Sequence, residues 1–139
     1  MANERDEDGH IRADPTKFPS GMKDIGDKIH DKGLKFGIYS SAGTHTCQKR
    51  PGSLDYEVKD ANDYASWGVD YLKYDNCYNK GVPAFDRYNA MYEALQATGR
   101  DIFYSICNWG NENIAEWGNQ IANSWRTTQD IEIYFTTEN

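Results

Sequence analysis

Segments that alternate apolar and polar side chains recur along this chain, each following a stretch of helical periodicity. That alternation restricts the fold more than any other feature. In Leu34-Lys35-Phe36-Gly37-Ile38-Tyr39-Ser40, the residues Leu34, Phe36 and Ile38 share one strand face, and Lys35, Gly37 and Tyr39 the other. Val69 to Asn76 repeats the pattern: Leu72 and Tyr74 oppose Tyr71, Lys73 and Asp75. Asp101 to Cys107 is a third strand of this kind, and Ile121 to Thr127 a weaker fourth.

The intervening helices are marked by apolar stripes of period 3.6. Met22, Ile25 and Ile29 form the first, closed by Gly33. Leu54, Val58, Ala61 and Ala65 form the second, with Ser53 as its N-cap and Gly68 at its end. Phe85, Tyr88, Met91 and Leu95 form the third, ended by Gly99, and Ile114 and Trp117 suggest a short fourth closed by Gly118. Residues 1–18 show no periodicity and are expected to be a loop or arm.

Strands alternating with helices predict βα units around a parallel sheet, in one α/β segment covering residues 1–139 with no dividing linker. Both an open doubly wound sheet and a (β/α)8 barrel fit. The first two strands have one apolar face, suited to helices. Their other face carries Lys35, Tyr39, Lys73 and Asp75, and grows more polar toward the C-terminal end, where barrel enzymes place catalysis. Glycine-rich phosphate loops are missing after every strand. Both features favour the barrel.

Composition excludes several functions. The net charge is −7, with no basic run, so neither nucleic acid nor an anionic membrane is an expected partner. No stretch is apolar and long enough to span a bilayer, and the N-terminus does not read as a signal peptide. Mean hydropathy is low at −0.87, but 14% aromatic residues argue against disorder and suit either a packed core or a sugar site. Cys47, Cys77 and Cys107 are widely spaced, as are His10, His30 and His45, so no metal site is expected. Three free thiols, or one disulfide and one thiol, are both compatible with this count.

Asp75 ends one strand and Asp130 follows another two units on. In a barrel both would face one bowl, the arrangement glycosidases use for a nucleophile and an acid/base. Lys73, two residues before Asp75 on the same face, would set a cation beside the anion. Arg126 lies near the same rim, placed to hold a sugar hydroxyl or orient a carboxylate. Cys47 and Cys77 lie in loops just past neighbouring strands; a disulfide there would close a loop of about 30 residues, worth roughly 3–4 kcal/mol.

These residues sit in recognisable runs. They include Ala13-Asp14-Pro15-Thr16-Lys17-Phe18-Pro19, then Gly33 to Gly43, Thr46-Cys47, and Pro51-Gly52-Ser53. The most specific is Trp67-Gly68-Val69-Asp70-Tyr71-Leu72-Lys73-Tyr74-Asp75-Asn76-Cys77. Phe103 to Gly110, Ser124-Trp125-Arg126 and Asp130-Ile131 complete the set. The chain resembles the α-galactosidases of glycoside hydrolase family 27, fungal and yeast type, over roughly residues 5–132.

The resemblance implies a retaining glycosidase on a (β/α)8 barrel, acting on terminal α-galactosyl residues by double displacement without metal or organic cofactor. It implies Asp75 as nucleophile and Asp130 as acid/base. Tyr39, Lys73 and Arg126 fall on galactose-contacting positions. Asn108 and Trp109 fall on the segment that senses the sugar's 2-position. Cys47 and Cys77 fall on a family disulfide bordering the pocket, which leaves Cys107 without a partner in the chain. Secretion is a further expectation from the family.

Departures from the family pattern are equally specific. The motifs of the first two barrel strands, which grip the galactose 4- and 6-hydroxyls, are not present, nor are the last two strands or the β-sandwich domain. Glu132-Ile133-Tyr134-Phe135-Thr136-Thr137 is less family-like. The expectation is therefore a partial (β/α)8 TIM barrel of about four βα units, strands three to six, in which activity is weak or lacking and open sheet edges promote self-association. A non-catalytic galactose-binding half-barrel, a truncated gene product and an α-N-acetylgalactosaminidase are the alternatives.

Overall fold

The computed structural model describes residues 1–131; the Glu132 to Thr137 segment singled out above lies outside the described residues. The elements run α1 (Gly21–His30), β1 (Gly37–Ser41), α2 (Glu57–Ser66), β2 (Tyr71–Asp75), α3 (Ala84–Ala97), β3 (Phe103–Cys107), α4 (Ile114–Ile121) and β4 (Ser124–Trp125). The strands form one parallel sheet in the order β1-β2-β3-β4.

Spatial order equal to chain order is the wall of a barrel, not a doubly wound sheet, whose order reverses at a switch point. Burial agrees. On the outer face Ile38, Leu72, Tyr74, Tyr104 and Ile106 are buried with Tyr64, Tyr88, Met91 and Leu95 of the helices in one core. On the inner face Tyr71 and Phe103 remain exposed, stacked with ring centroids 5.7 Å apart. An open α/β sheet would cover both faces with helices.

Within the strands the faces alternate as expected, but β1 begins only at Gly37, which leaves Leu34 outside it and 60% exposed, and three helix details differ. Ser53 does not cap α2. Its hydroxyl is buried between Ser40 Oγ at 2.7 Å and Tyr64 Oη at 3.2 Å, and the helix begins later, at Glu57. The stripe of α2 is rotated accordingly: Ala61 and Tyr64 are buried with Asp60, while Val58 is 66% exposed. The charged Asp60 takes an inward position because Arg5, in the N-terminal arm, donates to both its oxygens at 2.6 and 2.7 Å.

Gly118 does not end α4, which continues to Ile121. It is instead the contact point with β4, since a Cβ there would stand 2.9 Å from Cδ2 of Trp125. Ile121, expected in the fourth strand, therefore belongs to the helix. No helix among the described residues is long and apolar enough to cross a membrane.

Candidate active site

The parallel register brings Ser41, Asp75 and Cys107 side by side at the C-terminal ends of β1, β2 and β3. One step earlier on the same face stand Tyr39, Lys73, Ser105 and Ser124. Asp75 is only 6% exposed, so its carboxylate needs partners within the protein. It has three donors. Tyr39 Oη donates to Oδ2 at 2.8 Å, Trp109 Nε1 to Oδ1 at 3.0 Å, and the Asn76 amide to Oδ1 at 2.9 Å. Donors on both oxygens fix the plane of the carboxylate and match a negative charge.

Lys73 shares this face, as the alternation predicts, but it is not the neighbour of Asp75 that the spacing suggested. Its ammonium lies over the Tyr39 ring, 5.5 Å from the centroid. Among the described residues no ion pair is made to Asp75; neutral donors surround it instead. Burial first, then the bond to Asp75, pushes the Tyr39 phenol well above its ordinary value, which keeps its hydrogen available for donation.

Cys47 and Cys77 form a disulfide with Cα atoms 5.3 Å apart. Cys47 Sγ lies 3.4 Å from Asp75 Oδ2, so the bridge borders the carboxylate. Both sulfurs are bonded to each other and are not thiolate ligands, which removes the Cys47, Asp75 and Cys77 cluster as a metal site. The rim loops are further joined by Ser41 Oγ donating to Cys77 O at 3.0 Å and the Thr44 amide donating to Tyr78 O at 3.1 Å. Gly43 sits in the crossing, where a Cβ would stand 2.0 Å from Cys77 O.

Cys107 is the free, buried thiol. Burial and the nearby Asp75 raise it above its ordinary value, against the opposing pull of Arg126. Arg126 Nη1 lies 3.8 Å from Cys107 Sγ and 2.7 Å from Asp130 Oδ1. Asp130 is exposed, at 80%, just past the end of β4. The two carboxylates therefore occupy different settings: Asp75 buried and held by neutral donors, Asp130 open to solvent and held by one arginine.

Within the Asn108–Trp109 segment the two side chains diverge. Asn108 is fully buried and donates to Asn111 O at 2.6 Å, while its Oδ1 has no hydrogen-bond partner. Trp109, with φ of 63°, turns its indole onto Asp75. Sequence reasoning overlooked Asn76 and Arg87. Arg87 is visible in retrospect, because it falls within the buried stripe of Ala84, Tyr88, Met91 and Leu95, where an arginine must have a polar destination.

A family model described as Melibiase_2, Alpha galactosidase A, matches residues 1–137. Alpha-galactosidase 3 of Arabidopsis thaliana is 57% identical over 127 residues, 91% of this chain and 29% of that protein. Alpha-galactosidase mel1 of Schizosaccharomyces pombe is 55% identical over 128 residues, 88% of this chain and 29% of that protein. The crystal structure of alpha-galactosidase I from Mortierella vinacea superposes with a TM-score of 0.93 at 50% identity, over 99% of this chain and 36% of that one. The alpha-galactosidase of Saccharomyces cerevisiae, in a structure with raffinose, gives 0.92 at 49% identity, over 98% of this chain and 31% of that one. The chain thus spans about a third of the length of these relatives. Its parallel four-stranded wall is a portion of their TIM barrel, and the chain belongs to the α-galactosidases of glycoside hydrolase family 27.

Proposed function

We propose that residues 1–139 are a single segment of a TIM-barrel catalytic domain and carry the catalytic centre of a retaining α-galactosidase. The observation that carries this reading is the Asp75 carboxylate. It stands at the C-terminal end of a central barrel strand, with both oxygens oriented by Tyr39, Trp109 and Asn76. A carboxylate held in one plane is pre-aimed, which lowers the cost of reaching an attack geometry. Asp130 is the second carboxylate of the pair, and its exposure lets it exchange protons with water.

The reaction then proceeds in two displacements. An Asp75 oxygen attacks the anomeric carbon of a terminal α-galactosyl residue. The glycosidic C–O bond breaks as Asp130 gives its proton to the leaving oxygen. In the second half Asp130 takes a proton from water, the hydroxyl attacks the same carbon, and Asp75 is released as carboxylate. Lys73, Arg126 and the Cys47–Cys77 bridge are assigned to galactose binding with Tyr39, Asn108 and Trp109, on the family resemblance; of the first three, the bridge reaches Asp75, with Cys47 Sγ 3.4 Å from Oδ2. The raffinose in the yeast relative's structure favours α-galactosyl oligosaccharides as substrates. Secretion is assigned by analogy with the family.

The test is hydrolysis of a chromogenic α-galactoside by the chain, beside Asp75→Asn and Asp130→Asn. Release that disappears in Asp75→Asn supports the assignment. A folded wild type with no release above Asp75→Asn, yet with galactose binding in solution, would replace the enzyme with a sugar-binding module. Azide rescue of the Asp75 variant through an inverted β-galactosyl azide would identify Asp75 as nucleophile.

A further inference from the structure

The inward face of α3 is built from Ala84, Arg87, Tyr88, Met91, Ala94 and Leu95. Arg87 is the exception on that apolar surface, and it is only 1% exposed. A guanidinium so placed loses its hydration, a cost of several kcal/mol that a well-packed apolar side chain would avoid. Among the described residues it has no ion-pair partner. Its hydrogen bonds go to neutral acceptors: Nε to Val82 O at 2.7 Å, Nη1 to Ala42 O at 2.7 Å, and Nη2 to Asn76 Oδ1 at 3.0 Å.

The location of these acceptors is informative. Val82 lies just before α3, Ala42 directly follows β1, and Asn76 directly follows β2. Ala42 and Asn76 both bond to Asp75. The Ala42 amide donates to the Asp75 carbonyl at 2.8 Å, and the Asn76 amide donates to the Asp75 carboxylate at 2.9 Å. One planar fork thus holds, from below, the two residues that fix the main chain and the side chain of Asp75. A lysine could not span the same acceptors, because it presents a single point of charge.

We propose that Arg87 is a positioning residue for Asp75, acting through Asn76 and Ala42 to hold the carboxylate in the plane that Tyr39 and Trp109 meet. The catalytic consequence rests on Asp75 being the nucleophile; the linkage itself does not. No proton or bond is exchanged at Arg87. Its contribution is geometric, and its hydrogen bonds to three neutral acceptors offset part of the cost of the buried cation.

The Trp109 indole N–H reads the linkage directly, because it bonds the same Oδ1 as the Asn76 amide. Its 15N–1H resonance, assigned through Trp109→Phe, is compared in the full chain, Arg87→Met, Arg87→Lys, Asn76→Ala and the Arg87→Met/Asn76→Ala double variant. The expected result is an upfield move of the Trp109 signal in Arg87→Met, matched by Asn76→Ala and by the double variant, with the Trp67 and Trp125 indoles unmoved. Arg87→Lys recovers part of the shift. An unmoved Trp109 signal in folded Arg87→Met overturns the proposal. So does a displacement shared by all the indoles, or a double variant that sums the single effects. If Arg87→Met does not fold, Arg87→Lys and Asn76→Ala are judged by the same signals.

Turnover adds an independent reading. Arg87→Lys is expected to lower kcat about tenfold with KM changed less than about twofold, the pattern of a misplaced reacting group. A raised KM at constant kcat contradicts positioning. Should Asp75→Asn retain full turnover, the nucleophile assignment fails, while the indole result still decides whether Arg87 holds Asp75.

Discussion

Tyr39 and Asp75 are hydrogen-bonded at 2.8 Å although they are not opposite one another in the sheet. Asp75 pairs in register with Ser41, and Tyr39 with Lys73. The phenol therefore reaches diagonally along the inner face, across two residues of strand or roughly 6–7 Å. Only a long side chain ending in a donor makes that reach. Tyr39→Phe keeps the ring and removes the donor to Oδ2. A hydrogen bond to a charged group is worth about 1.5–3 kcal/mol. If the bond contributes fully in the transition state, α-galactoside turnover falls about 10–100-fold. A kcat within twofold of wild type would show that the Tyr39 bond does not position Asp75.

Removing Arg5 tests a contact that sequence periodicity gave no sign of. Arg5 is 11% exposed and Asp60 fully buried, and the pair fastens the N-terminal arm to α2. Arg5 also donates to Gly52 O at 2.7 Å, in the loop that follows β1 and carries Cys47. Arg5→Met strands a buried carboxylate and should cost about 3–5 kcal/mol in urea unfolding. Arg5→Met combined with Asp60→Leu should recover most of that loss. Equal destabilisation by the single and double variants would mean that the arm, not the charge pair, carries the stability.

Local pattern in the sequence places the strand residues and is silent on the arm. Leu72, Tyr74, Lys73 and Asp75 sort onto their faces correctly because strand alternation is a local geometric rule that tertiary contacts rarely overturn. Asp75 at a strand end is likewise local. Arg5 and Asp60 are far apart in sequence, and nothing near Asp60 announces that an arm without periodicity will neutralise it. The same distant pairing lets a carboxylate displace Val58 from the buried stripe of α2. Gly118 was misjudged for a related reason. Glycine ends helices often, but here it is small because Trp125 packs against it. The donor set of Asp75 was only half legible: Tyr39 and Trp109 were singled out as sugar contacts, and their bonds to Asp75 appear only when the strands are laid side by side.

The disulfide joins Cys47 and Cys77 across the loops that follow β1 and β2, over a separation of 30 residues. Replacing both with alanine should lower stability by about 3–4 kcal/mol, the loop-closure value for that length. Ser41 and Thr44 still tie the loops to Cys77 and Tyr78, so the strands should stay paired. The expected signature is a lower unfolding midpoint that reductant reproduces in wild type and leaves unchanged in the variant. A midpoint insensitive to reductant in wild type would mean that the bridge adds nothing to the folded state.

Asp70 offers the contrasting case at the opposite, N-terminal end of β2. Its Oδ2 accepts from the Phe36 amide at 2.8 Å and from His30 Nε2 at 2.7 Å, and its Oδ1 accepts from Arg100 at 2.9 Å. Burial alone would raise this carboxyl, but the Phe36 amide and His30 outweigh it and hold it below its ordinary value. A carboxyl depressed in the folded state contributes stability above its unfolded value, near 4, and loses it as pH falls through the folded value. Asp70→Asn should therefore be less stable than wild type at neutral pH by about 1–3 kcal/mol, with the gap narrowing below about pH 4. Because this end of a barrel serves stability and the other end serves chemistry, turnover measured well below the unfolding midpoint should be unchanged. A stability gap that stays constant as pH falls from neutral through the acid range would place the loss in packing rather than in the charge.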